Sequence, residues 1–171
     1  MKKVLAIVGC VGIAAGISGW TYRFFSPGAL ALPHAWITDE TMDGCAKCHT
    51  PYQGLQRKNC LGCHGEIAER VNARKGFHGQ SPLAKDRPCE TCHHEHRGLA
   101  ATLVEWPNGI AQFKHDLTGY ELKDKHADLA CDTCHKDSRI ADPAITALRQ
   151  AHPGRKTYLG LSTDCAYSHM H

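Results

Sequence analysis

A chain of 171 residues is long enough for one domain, but with 7% aromatic side chains it is lean in core formers. Its 16 glycines and 8 prolines describe a loop-rich polypeptide, which excludes a fold held by its own apolar core alone. The formal net charge is +3, from 20 Lys and Arg against 17 Asp and Glu, a mildly basic balance.

The N-terminus opens with Met1-Lys2-Lys3 ahead of an uncharged run from Val4 to Trp20. Positive residues followed by an apolar stretch are an export signal, and the positive-inside rule puts the chain from about Pro27 onward outside the cytoplasm. Three fates are open to this run. Ala29-Leu30-Ala31 resembles a signal-peptidase site, and Ile7-Val8-Gly9-Cys10 resembles a lipoprotein box whose apolar lead is too short. Trp20, Tyr22, Phe24 and Phe25 read as an interfacial aromatic belt, which favours retention as a membrane anchor over cleavage. Residues 1–26 are therefore expected to be an anchor or signal sequence, and residues 27–171 the functional domain.

Four Cys-x-x-Cys-His units follow: Cys45 to Cys48 with His49, Cys60 to Cys63 with His64, Cys89 to Cys92 with His93, and Cys131 to Cys134 with His135. Two thiols three positions apart reach the two vinyl groups of one haem, and the histidine that follows falls on the iron. Zinc ribbons and disulfides also use paired cysteines, but neither explains the histidines. With 13 His in 171 residues, the chance that His follows all four pairs is on the order of 1 in 30,000. The expected cofactor is haem c, four copies, which also supplies the missing apolar volume. Four haems bring propionates worth up to about −8, so the loaded protein turns acidic and nucleic acid is not an expected partner.

Regular structure is sparse along this string. After His64, Ile67 and Val71 stand four apart among charged residues, which predicts a short amphipathic helix stopped by Gly76. The spacing of Gly76 and Gly79 predicts a flexible bend around His78. Thr102 to Trp106 has β character, ended by Pro107-Asn108-Gly109, and supports a lone hairpin strand at most. Ile140 to Gln150 predicts a second helix, with Ile140, Ala144, Ala147 and Leu148 as its apolar side and Pro153-Gly154 as its end. The expected fold class is mainly helix and coil, wrapped around a haem array without a fixed repeat.

The second axial ligand decides function, because an iron with two strong protein ligands has no open position for substrate. Histidine is in surplus: beyond the four motif residues, His34, His78, His94, His96, His115, His126, His152, His169 and His171 remain. That surplus predicts bis-histidine, low-spin, low-potential irons and no catalytic residues. His34 follows a Pro ahead of the first motif, His78 lies between glycines, and His115 and His126 fall between the last two motifs. In His93-His94-Glu95-His96, at most one further imidazole serves a neighbouring iron. At the C-terminus, Cys165-Ala166-Tyr167-Ser168-His169 has the form of a fifth unit with Ser at the second thiol. Serine makes no thioether, so any haem there is attached through Cys165 alone.

These residues resemble the multihaem class III cytochromes, the cytochrome c3-like family, over Pro27 to about His135 and beyond. The resemblance rests on Pro-Gly-x-Leu with His34-Ala35 before the first motif, on Cys89-x-x-Cys92-His93-x-Glu95-His96-x-Gly98, and on Phe113-x-His115-x-x-Thr118-Gly119-Tyr120-x-Leu122 with His126. It implies His34, His96, His115 and His126 as distal ligands, His78 close behind, and His94 as a mere neighbour. It also implies that the chain stops at His171 inside a segment that continues in relatives.

Three functions then compete. The first is an electron carrier tethered to the membrane, passing electrons from a membrane donor to an extracytoplasmic redox partner, alone or within a respiratory complex. The second resembles the anchored tetrahaem quinol dehydrogenases, but those place a Met just after the first motif, where Thr50-Pro51-Tyr52 stands here and Met42 precedes it. The third, a catalytic multihaem reductase, calls for a lysine in place of a motif histidine, and no such unit occurs.

Overall fold

A computed structural model describes residues 27–37, 42–106, 108–152 and 156–170. The expected anchor or signal over residues 1–26 lies outside the described residues, as does the Pro153-Gly154 stop. Among the described residues no helix is long and apolar enough to cross a membrane. The architecture is short helices and coil, with one small hairpin, and the chain divides into two units.

The first unit comprises Met1–Lys47 with Cys92–Glu105. Its described part is two loops laid against each other. The Gly98 amide donates to the Ala29 carbonyl at 3.0 Å and the Leu32 amide to the Leu99 carbonyl at 3.2 Å. Gly28 has φ +133°, and a Cβ there would sit 2.7 Å from the His96 carbonyl oxygen, so only glycine permits this approach. Leu30, Ala31 and Ile37 are buried by the packing. The segment read as β-like contributes a single antiparallel bridge, Val104 to His93, flanked by His94 N–H to Leu103 O and Glu105 N–H to Cys92 O. Helix α1, Met42–Ala46, carries Cys45.

The second unit comprises Cys48–Thr91 with Trp106–His171. It opens on a hairpin that the sequence did not announce, β1 (His49–Thr50) against β2 (Gly54–Leu55), turned through Tyr52 and Gly54 at φ 63° and 68°. Helix α2 is Arg57–Cys63. Asn59 ties it to the hairpin by donating to the Cys48 carbonyl at 2.9 Å and to Thr50 Oγ1 at 3.1 Å.

Helix α3, Gly65–Asn72, is the expected amphipathic helix, but Gly76 does not stop it. The helix ends at Asn72, Arg74 takes the left-handed conformation at φ 51°, and Gly76 opens α4, Gly76–Gln80. His78 thus rides on a helical turn, not a bend. Gly79 is there for packing: a Cβ would run into the Arg70 carbonyl and lie 2.7 Å from the Arg74 carbonyl carbon. Buried Ser81 then caps α5, Pro82–Lys85, by accepting from the Leu83 amide at 3.2 Å. Arg57 closes the far end of α5 by donating to the Ala84 and Lys85 carbonyls, both at 2.5 Å.

After α6, Cys131–Cys134, comes α7, Pro143–Ala151. It starts later than the apolar spacing suggested. Ile140 is committed to a bridge with Leu161, Pro143 occupies the first turn, and Asp142 Oδ1 accepts from the Ala144 amide at 3.0 Å as the cap. The expected apolar side is also wrong: Ala144, Ala147 and Leu148 are exposed, and Ile145 is the fully buried residue. Gly160, at φ +89°, presses on Ile145, where a Cβ would come within 3.0 Å of the Ile145 Cβ. Asp142 Oδ2 also pairs with Arg70 at 2.5 Å, joining α7 to α3. The last helix, α8, is Cys165–Met170.

Among the described residues the buried hydrophobic side chains are Leu30, Ala31, Ile37 and Ile145. The second unit also packs a row of rings: Phe77 to Phe113 at 5.4 Å, Phe113 to Trp106 at 5.3 Å, Trp106 to Tyr158 at 5.6 Å, and Tyr158 to His135 at 5.2 Å. Meanwhile Leu32, Trp36, Leu99, Ile110 and Leu129 stay exposed.

Candidate haem sites

The second and fourth Cys-x-x-Cys-His units fold alike. In each, the two thiols lie on a short helix, α2 or α6, whose last residue is the second cysteine. The motif histidine caps it, at φ −94° and ψ 65° for His64 and φ −82° and ψ 65° for His135. In both the histidine amide donates to the first cysteine's carbonyl at 2.9 Å. That turn takes the histidine backbone off the helix at the same point of both motifs. In the first unit Cys45 lies on α1 and His49 on β1; in the third, Cys89 opens a 3-10 turn, Cys89–Thr91, and His93 forms the bridge to Val104.

The attachment thiols are drawn together. Burial pushes the Cys60 thiol up to about 11, and the adjacent sulfurs of Cys89 and Cys48 add to the effect. Thiols of the first three motifs thus meet at one place in the second unit. Cys60, Cys63, Cys131, Cys134 and Cys165 are thiols, not disulfides. Among the described residues no group of three or more His, Cys, Asp or Glu side chains is arranged around a metal ion.

Several histidines share one arrangement that sequence spacing did not reveal. His34 Nδ1 donates to Glu95 Oε1 at 2.5 Å, His96 Nδ1 to the Gly28 carbonyl at 2.8 Å, and His115 Nδ1 to the Tyr120 carbonyl at 2.7 Å. His64 Nδ1 faces Glu66 Oε1 at 3.2 Å. A carboxylate or carbonyl oxygen can only accept, so the ring donates from Nδ1, and in its neutral form it presents its lone pair at Nε2. This is how proteins orient metal-bound imidazoles. Glu95 is braced for the task, its other oxygen accepting from the Ala31 amide at 2.8 Å. His94 is turned the other way, with Nε2 3.0 Å from Glu105.

Two pairs of rings stand close. His115 and His135 are 6.2 Å apart between centroids, inclined at 45°, and His126 and His169 are 6.0 Å apart, at 81°. Two imidazoles across one metal, at metal–nitrogen distances near 2 Å, have centroids roughly 6 Å apart. His126 closes the 3-10 turn Asp124–His126, and Cys165 and His169 lie on α8. His115 opens another 3-10 turn, His115–Thr118, and His34 ends that of Leu32–His34. Burial, aided by His115 and Lys156 and opposed by Asp132, lowers the pKa of His135 from its ordinary value, which favours the neutral, ligating form. His152 merely caps α7.

The residues fit haem c: paired thiols on helical turns, imidazoles with their proton fixed on Nδ1, and a core too thin to close without an added apolar body. These are the features that a multihaem c-type cytochrome requires. A model of the cytochrome c3 family matches residues 38–104, the stretch that carries the first three motifs, so that stretch is similar to the family. No curated protein and no solved structure matches the chain.

Proposed function

We propose that the protein is an electron relay holding four covalent haems, each with two imidazoles on its iron, that takes electrons from a membrane donor and hands them to an extracytoplasmic redox partner. Haem supplies the reversible one-electron chemistry. The chain supplies the proximal ligands His49, His64, His93 and His135 and the thiols that precede each of them. His115 faces His135 at 6.2 Å and serves as its distal partner, and His34, His78 and His96 serve the other three irons. The observation that carries this reading is the shared Nδ1 engagement of His34, His64, His96 and His115, which makes Nε2 the nitrogen that each neutral ring would turn to an iron. Filled axial positions leave no place for substrate, which is why relay is favoured over catalysis. Four haems shared among so few residues would lie close together, which favours direct hopping between them.

The test is addition of carbon monoxide to the reduced full-length protein made with haem-attachment machinery. Irons ligated on both sides leave the visible spectrum nearly unchanged. A large shift on most of the haem would show open irons and overturn the reading.

A further inference from the structure

The geometry points to a fifth haem, held at the C-terminus by one thioether to Cys165 and by His169 and His126 on its iron. The inference rests on the four-haem reading above and extends it to a segment whose motif is broken. Cys165 and His169 are four apart on α8, hence on one face of the helix; the sequence offset is that of Cys60 to His64 and Cys131 to His135, although those histidines cap their helices and His169 lies within its own. The ring of His126 stands 6.0 Å from that of His169 at 81°, a pair parallel to His115 with His135. Both rings are exposed, although side by side, and the Cys165 thiol is exposed with them. The ligand count agrees. The five distal candidates His34, His78, His96, His115 and His126 outnumber the four intact motifs by one, and His126 is the one that stands beside His169.

The attachment balances without a further reagent. The Cys165 S–H adds across one haem vinyl group: a C–S bond forms at the carbon next to the ring, the vinyl double bond is consumed, and the proton goes to the terminal carbon. Ser168 offers a hydroxyl, a far poorer nucleophile than a thiol, so the second vinyl stays unsaturated.

The test is intact mass and a pyridine haemochrome spectrum of the full chain produced with haem-attachment machinery. Five haem masses are expected, with one fifth of the haem showing the red-shifted band of a haem that keeps one vinyl. Cys165→Ala removes one haem mass while leaving four. Ser168→Cys keeps five and moves the shifted fraction back to the position of the rest. His126→Ala keeps five masses but opens one iron, so that one fifth of the reduced haem binds carbon monoxide. Four haem masses in the unaltered chain, or no loss on Cys165→Ala, would overturn the fifth site and leave the four-haem reading standing. A chain without covalent haem would overturn both.

Discussion

Glu95 does two jobs with one carboxylate, accepting from the Ala31 amide and from His34 Nδ1. Replacing it by Ala takes away the group that fixes the ring's proton on Nδ1. Loss of such an outer partner weakens a metal site by about 10- to 100-fold, so one haem in Glu95→Ala is expected to turn partly high-spin, which electron paramagnetic resonance reads directly. His115→Met is a second test at this scale. Thioether opposite imidazole raises the potential of iron, so a potentiometric titration should show one haem displaced upward while the others keep their place. The thiols and motif histidines were legible because their chemistry demands fixed spacing. The partners of Nδ1 were not, since Glu95 lies 61 residues from His34 in sequence and the Gly28 and Tyr120 acceptors are backbone carbonyls. The same holds for the His115–His135 and His126–His169 pairings, each of which joins a 3-10 turn to a helix distant from it in sequence.

Among the elements, α3, α4 and α7 form the frame of the second unit, and two small residues control it. Gly79→Ala places a methyl group against the Arg70 backbone, where neither side can yield, and is expected to cost about 1–3 kcal/mol in denaturant unfolding. Asp142→Ala removes a helix cap worth about 1 kcal/mol, and with it the bond to Arg70; Asp142→Asn should recover the cap but not the ion pair. The existence of α3 and α7 was readable from apolar spacing, yet their limits and facing were not. Pro143 and Asp142 moved the start of α7, and contact with Gly160 chose Ile145, not Leu148, as the buried residue. The stop expected at Gly76 failed for a related reason: the left-handed turn fell on Arg74, and the glycine became the first residue of α4. The hairpin after the first motif is two residues a side, too short to leave any periodicity behind.

For the whole molecule, the composition foretold the thin core. Four hydrophobic side chains are buried among the described residues, while Leu32 is 70% and Trp36 65% exposed. A chain made without haem attachment is therefore expected to lack a cooperative thermal transition by circular dichroism, and the loaded protein to show one. The scarcity of interior side chains has a consequence beyond electron movement. A polypeptide whose inside arrives from elsewhere can persist only as fast as that material is delivered, and copies left empty are open to proteolysis. Its abundance is then expected to follow haem supply, because hollow copies are cleared and filled ones endure.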